Sequence, residues 1–245
     1  MIRPARPADL PAVEILCKDL GIAAPPLAGT LLDDRDGAIA GYVSVQRLGT
    51  IGYVRDLVTA PRVADAGLPL MLAAAAALRT AGVREWHLDA RPESSSITVY
   101  ERLGMQPAHR STALRFAWAG LPDLPGEPAI ASAVSVEDDD DIERALGLLG
   151  GQLAMVRKRP RVVLRQLRDE SCAAVGFAAL EPAGARLFRV ARPTLAAPLL
   201  AALRPHARDP QLSIVLDDQD ALAALLVDHG ARIAVRLLHY SGALP

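Results

Sequence analysis

The chain repeats itself. Ala38-Ile39-Ala40-Gly41-Tyr42-Val43-Ser44-Val45 is echoed by Ala173-Ala174-Val175-Gly176-Phe177-Ala178-Ala179-Leu180. His87-Leu88-Asp89 runs through a helix-like stretch to Leu103-Gly104-Met105, and Val215-Leu216-Asp217 runs through a similar one to His229-Gly230-Ala231. Each pair lies about 130 residues apart, far beyond the roughly 20–50 residues of a solenoid unit. The pattern is therefore two copies of one domain, predicted as 1–119 and 128–245, a size two domains fill comfortably. The stretch from Trp118 to Pro128 is rich in proline and glycine and reads as the linker. A difference between the copies is then a guide to function.

Composition narrows the classes. The chain is 51% hydrophobic and 22% charged, which supports packed cores. A net charge of −1 and 4% aromatic residues argue against a nucleic-acid partner, which needs a basic face and stacking rings. Met1-Ile2-Arg3-Pro4 has no apolar core of a signal peptide, and no long uncharged apolar run predicts a membrane span. A cytoplasmic, bacterial protein is expected, the latter from its richness in Ala, Leu, Arg and Pro. Cys17 and Cys172 lie in different halves and read as core thiols. No two of the five histidines stand at ligand spacing, so no metal is expected.

Periodicity orders the elements. Ile2–Ala5 reads as a strand, with Asp9 as cap of a helix whose apolar positions Leu10, Val13, Leu16 and Leu20 run to Gly21. Asp36-Gly37 between apolar runs signals a hairpin. A strand over 51–58, a helix over 67–81, a strand over 85–89, a helix over 94–103 and a strand over 107–118 complete the first half. The second half restarts with a strand at 129–134, then a helix over 136–149 capped by Ser135 and opened by four aspartates that suit the helix dipole. A basic amphipathic helix is predicted over Met155–Leu167. Strands follow at 172–180, 186–191, 212–216 and 233–240, with helices over 194–204 and 218–229.

Three stretches of the first half stand out: Ile2-Arg3-Pro4-Ala5-Arg6-Pro7-Ala8-Asp9-Leu10, Val54-Arg55-Asp56-Leu57-Val58-Thr59-Ala60-Pro61, and Val99-Tyr100-Glu101-Arg102-Leu103-Gly104-Met105. With the element order, they resemble the first strand and cap, the fourth strand and the late helix of the GNAT superfamily of acyl-CoA-dependent N-acetyltransferases. The resemblance covers most of residues 1–118. The second half is similar to the C-terminal GNAT-like domain of two-domain members, through Leu216-Asp217, His229-Gly230 and Tyr240-Ser241-Gly242. It implies an α/β (α+β) fold of two GNAT-like domains, each a mixed, mostly antiparallel sheet flanked by helices.

The resemblance also implies a site. The family cradles the coenzyme A diphosphate with backbone N–H groups at a helix N-terminus, on the pattern Gln/Arg-x-x-Gly-x-Gly/Ala. Here the stretch is Arg62-Val63-Ala64-Asp65-Ala66-Gly67-Leu68. With one residue deleted after Val58, Arg62 and Gly67 fall on the first and last positions and Asp65 replaces the middle glycine; without the deletion neither glycine matches. A carboxylate there either repels a diphosphate or caps the helix. Leu57 and Val58 would offer backbone groups to the pantetheine arm, and Ser96 a hydroxyl, unless it caps its helix. Tyr100 matches the family's general acid, and Asp56 is the candidate base. The second copy reads Arg192-Pro193-Thr194-Leu195-Ala196-Ala197-Pro198, without glycine, and is expected to hold no coenzyme. The expected donor is acetyl-CoA, the acceptor a small amine, and the protein a monomer or homodimer. The rival reading is a GNAT fold with a decayed coenzyme site that senses a small molecule or binds a partner.

Overall fold

The computed structural model describes every residue except 20, 21, 61, 62, 64 and 149. Leu20 and Gly21, the predicted end of the first helix, and Leu149 thus lie outside the described residues. The chain forms two compact units, Met1–His109 with Leu237–Pro245, and Arg110–Arg236.

The first unit contains β1 (Ile2–Pro4), α1 (Leu10–Asp19), β2 (Thr30–Arg35), β3 (Ala38–Leu48), β4 (Ile51–Thr59), α2 (Gly67–Thr80), β5 (Glu85–Ala90) and α3 (Ile97–Arg102). Asp36 and Gly37 both adopt positive φ and close the β2–β3 hairpin as the Asp-Gly pair predicts. Pairing is antiparallel from β1 through β4, and β4 joins β5 in parallel. Alternation along the strands feeds two layers. Val43, Val54, Trp86 and Leu88 face α2 and α3, and Leu32, Tyr42 and Val58 face α1 with Val13 and Cys17.

The strand after α3, β6 (Gln106–Ala117), lies where the sequence places a strand, but its partner belongs to the second unit. Residues 111–117 pair antiparallel with β11 (Gln211–Asp217). The sixth strand of the first unit comes instead from the end of the chain. Residues 238–243 of β12 (Arg232–Ala243) pair with β5, His239 opposite Asp89 and Tyr240 opposite Leu88. Equivalent strands of the two copies are thus exchanged, and each unit's sheet is completed by the other's segment of sequence.

In the second unit the remaining elements are β7 (Ile130–Ala133), α4 (Asp139–Ala145), α5 (Gln152–Arg157), β8 (Val163–Arg168), β9 (Ala174–Glu181), β10 (Gly184–Val190), α6 (Ala196–Leu203) and α7 (Asp220–Asp228). Its strand order is β6-β11-β10-β9-β8-β7, antiparallel except for β10 with β11. The helix expected over Met155–Leu167 is corrected here. It stops at Arg157, and Val163–Arg168 is β8. Pro160 cannot continue a helix, and the β-branched Val162-Val163 suits a strand. Cys172 is exposed, not a core thiol, while Cys17 is buried. Ser135 does not cap α4. Its hydroxyl donates to Asp138, which also binds Gln166 and Arg168. Gly104 and Gly230, the repeat's shared glycines, end α3 and α7 at φ 77° and 91°, a conformation costly for any other residue. No helix among the described residues is long and apolar enough to cross a membrane.

Candidate active site of the first unit

The site starts at an irregularity in β4. Ser44 opposes Asp56 and Val45 opposes Val54, so Arg55 is an extra residue, a β-bulge. Pairing of β4 with β5 ends at Val54 opposite Leu88. Beyond the bulge, β4 therefore has no strand on that side among the described residues. The Ala60 N–H bonds the Ala40 carbonyl, at 2.8 Å. Antiparallel alternation then turns the backbone groups of Val58 and Asp56 toward β3, and those of Leu57 and Thr59 away, into the gap. Of the two residues expected to meet a pantetheine arm, Leu57 keeps its backbone groups available. Val58 spends its own on β3 and buries its side chain under α1.

The N-terminus of α2 closes this gap. A Cβ at Gly67 would meet Leu57 Cδ2 at 3.9 Å and Val99 Cγ2 at 3.7 Å, so the helix begins between β4 and α3. Pro69 has no N–H, Ala66 takes the cap position without a side-chain bond, and among the described residues no acceptor meets the N–H groups of Gly67 and Leu68. Such a turn carries partial positive charge and open donors. Val63 and Leu68 pack half-buried against the core below. Arg62 and Ala64 lie outside the described residues. Asp65 neither caps the helix nor stands buried. It is 77% exposed and binds Arg35 at 3.0 Å, whose guanidinium also binds Asp33 at 2.9 Å. The Asp65 carboxylate is thus turned to solvent and to a guanidinium that it shares with Asp33.

Tyr100 is buried among the residues that pack on α2, its ring 6.0 Å from that of Tyr240. Burial raises its pKa, against a hydrogen bond with the Ser96 side chain that lowers it. The phenol therefore stays protonated at neutral pH. The Ser96 hydroxyl makes no capping bond to α3.

Asp56 lies on the opposite, α1-facing side of the sheet, half-buried, and loss of hydration raises its carboxyl pKa. Ser44, directly across on β3, is fully buried with its hydroxyl unpartnered among the described residues. The same face carries groups to which no sequence motif gives a chemical role. Tyr53 donates its phenol proton to Asp89, and His239 binds the other oxygen of that carboxylate. Burial alone would raise the Asp89 pKa, but the bonds from His239 and Tyr53 outweigh it and hold it below the usual range. The His239 ring stacks on that of His109 at 3.8 Å. Residues 89 and 239 are far apart in sequence, and only the strand exchange brings them together.

The same region of the second unit is filled. Arg189 donates to the backbone oxygen of Asp217, joining β10 to the end of β11. Gln219 accepts from the Val190 N–H at 3.2 Å and donates to the Phe188 carbonyl at 2.8 Å. Before α6, the Glu127 carboxylate binds Arg192 and the Thr194 hydroxyl. A cavity of about 570 Å³, lined by Arg161, Leu180, Gly184, His206 and Leu212, opens at the other end of β10 and β11.

No protein-family model and no curated protein sequence matches the chain. Solved structures do. A GCN5-related N-acetyltransferase from Sphaerobacter thermophilus superposes with a TM-score of 0.62 at 18% identity, over 100% of this chain and 95% of that one. A tandem GNAT protein from the clavulanic acid biosynthesis pathway gives 0.55 at 14% identity, over 100% and 98%. A GCN5-related N-acetyltransferase from Anabaena variabilis gives 0.53 at 11%, over 100% and 73%. This is the GNAT fold.

Proposed function

We propose that the first unit is an N-acyltransferase that moves an acyl group, in the simplest case acetyl, from acetyl-CoA to a small primary amine. The observation that carries this reading is the unpaired edge of β4 past the Arg55 bulge, running into the open first turn of α2 at Gly67. Leu57 and Thr59 offer that edge to the pantetheine arm, and the N–H groups of Gly67 and Leu68 face the diphosphate. The burial of Tyr100 and Asp56 on opposite faces of the sheet separates an acid from a base.

Asp56 takes a proton from the acceptor ammonium and so frees the nitrogen lone pair. Its raised pKa makes it a better base than an ordinary carboxylate. The neutral amine attacks the thioester carbonyl carbon, a C–N bond forms and the C–S bond breaks. Tyr100 gives its phenol proton to the departing thiolate, the second proton lost from nitrogen as the amide forms passes to water, and the phenolate regains a proton from water. The proton on Asp56 returns to water. Asp65 is exposed and turned to Arg35, and among the described residues it does not occupy the N–H groups that open α2, which supports this reading over a decayed one.

Calorimetric titration with acetyl-CoA tests the proposal. Micromolar binding at one site per chain is expected, because Glu127 and Gln219 occupy the matching positions of the second unit. Absence of binding at millimolar coenzyme would overturn it.

A further inference from the structure

The α1-facing side of the first unit's sheet holds a directed chain of hydrogen bonds next to the candidate base. Tyr53 and Asp56 project from the same face of β4, on either side of the bulge; burial and the bond to Asp89 push up the Tyr53 phenol, and the Asp56 charge adds a smaller push. A phenol hydroxyl has one proton and lone pairs on oxygen. The proton of Tyr53 goes to Asp89. Asp89 in turn is held by His239, directly opposite on β12, and His239 is clamped by the His109 ring. A carboxylate is acceptor-only when ionised, and Asp89 is kept ionised. The phenol proton therefore has one direction, and the Tyr53 oxygen keeps lone pairs with which to accept a hydrogen bond.

We propose that Tyr53 orients the acceptor amine by accepting one of its N–H bonds, while Asp56 takes another, and that Asp89 and His239 are positioning residues that fix the direction of the Tyr53 hydroxyl. This rests on the acyltransferase reading of the same site. It also defines the substrate class. The acceptor must present a nitrogen with at least two N–H donors, a primary amine, since one goes to Asp56 and one to Tyr53. A secondary amine fails, because its single N–H cannot serve both while the lone pair points at the thioester. Removing such a hydrogen bond weakens ground-state binding and leaves the chemical step almost intact. Asp89→Asn has a particular consequence. The amide can turn an N–H toward Tyr53, reversing the phenol so that its proton points at the amine.

The test measures acetylation of n-butylamine, benzylamine and 1,4-diaminobutane, with N-methylbutylamine as the secondary amine, by full-length protein. Tyr53→Phe should raise KM for the primary amine about five- to tenfold, with kcat and the KM for acetyl-CoA within about twofold. Asp89→Asn should do the same. The double variant should show one such loss and not their product, since both remove one bond. His239→Leu should reproduce part of the loss and His239→Gln, which still donates to Asp89, should restore it. An unchanged amine KM in Tyr53→Phe, multiplied effects in the double variant, or equal turnover of N-methylbutylamine would each overturn the proposal. If acetyl-CoA binds but no amine is turned over, titration of the same amines into coenzyme-saturated protein decides. Weaker binding to both single variants supports it, and unchanged binding or none to wild type overturns it with the coenzyme site still standing. Failure of acetyl-CoA to bind removes the acyltransferase reading itself.

Discussion

Tyr240 sits in the C-terminal tenth of the chain, yet its ring is buried to 3% exposure in the core of the first unit, with Trp86, Leu88 and Tyr100. Tyr240→Ala should therefore destabilise the first unit and spare the second. A buried aromatic side chain removes roughly 150–250 Å² from water, about 4–6 kcal/mol at ~25 cal/mol/Å². Compactness of the unfolded chain lowers that by some 10–40%, and the polar phenol oxygen lowers it further. About 3–4 kcal/mol remains, within the range for aromatic-to-alanine changes in cores. With a urea slope of about 1–3 kcal/mol/M, the midpoint moves down by about 1–4 M.

The two tryptophans make the assay unit-specific. Trp86 lies in the core of the first unit and Trp118 in that of the second. Urea unfolding followed by fluorescence in a Trp118→Phe background reads the first unit, and in a Trp86→Phe background the second. Tyr240→Ala should lower the Trp86 transition by the amount above and leave the Trp118 transition where it is. A loss below about 1 kcal/mol, or a loss confined to Trp118, would refute the exchange of β12 into the first unit. The second outcome is what a simple division of the chain at residue 119 or 128 requires.

Two further outcomes bear on the chemistry. Tyr100→Phe should lower kcat by about 100-fold or more while leaving acetyl-CoA affinity within a few-fold, measured by steady-state kinetics beside calorimetry; equal turnover would remove Tyr100 as the acid. Asp56 must be ionised to act, and burial holds its pKa above the ordinary carboxylate value, so kcat/KM should rise with pH through an acidic limb lying above that value and then level off. Asp56→Asn should abolish the limb along with most of the rate, and a limb that survives the substitution would exclude Asp56 as the base.

Much of the fold is legible in the sequence because it is written locally. The Asp36-Gly37 turn and the glycine stops at 104 and 230 follow from the conformational preferences of those residues, and α2 from its continuous apolar, alanine-rich run. What is not legible depends on partners far away. Residues 107–118 look like a strand and are one, but alternation says nothing about which strand they join. The error over Met155–Leu167 has a local cause, since the basic and apolar residues there fit a helical period until Pro160 interrupts it. The Tyr53–Asp89–His239 chain has no sequence signature, because its members come from three strands and one arrives only through the exchange.

The comparison of the two copies carries the strongest argument for where the chemistry lies. Both have the same parallel pair, β4 with β5 and β10 with β11, and each pair stays joined over only part of its length. A strand edge with free N–H and C=O groups is costly to leave unpaired away from water, so something must satisfy it. In the second unit the chain supplies its own substitutes. Gln219 uses its amide to take both the Val190 N–H and the Phe188 carbonyl, as a neighbouring strand or an extended amide ligand would. Glu127 places a carboxylate against Arg192 and Thr194 ahead of α6, where an anionic ligand would sit. In the first unit the acid nearest that turn, Asp65, is turned out to Arg35, and among the described residues nothing fills the edge at Leu57 and Thr59 or the turn at Gly67. A pantetheine arm has amides in the place of Gln219, and a diphosphate has anionic oxygens in the place of Glu127. The plug in one copy thus matches the chemistry of the ligand proposed for the other.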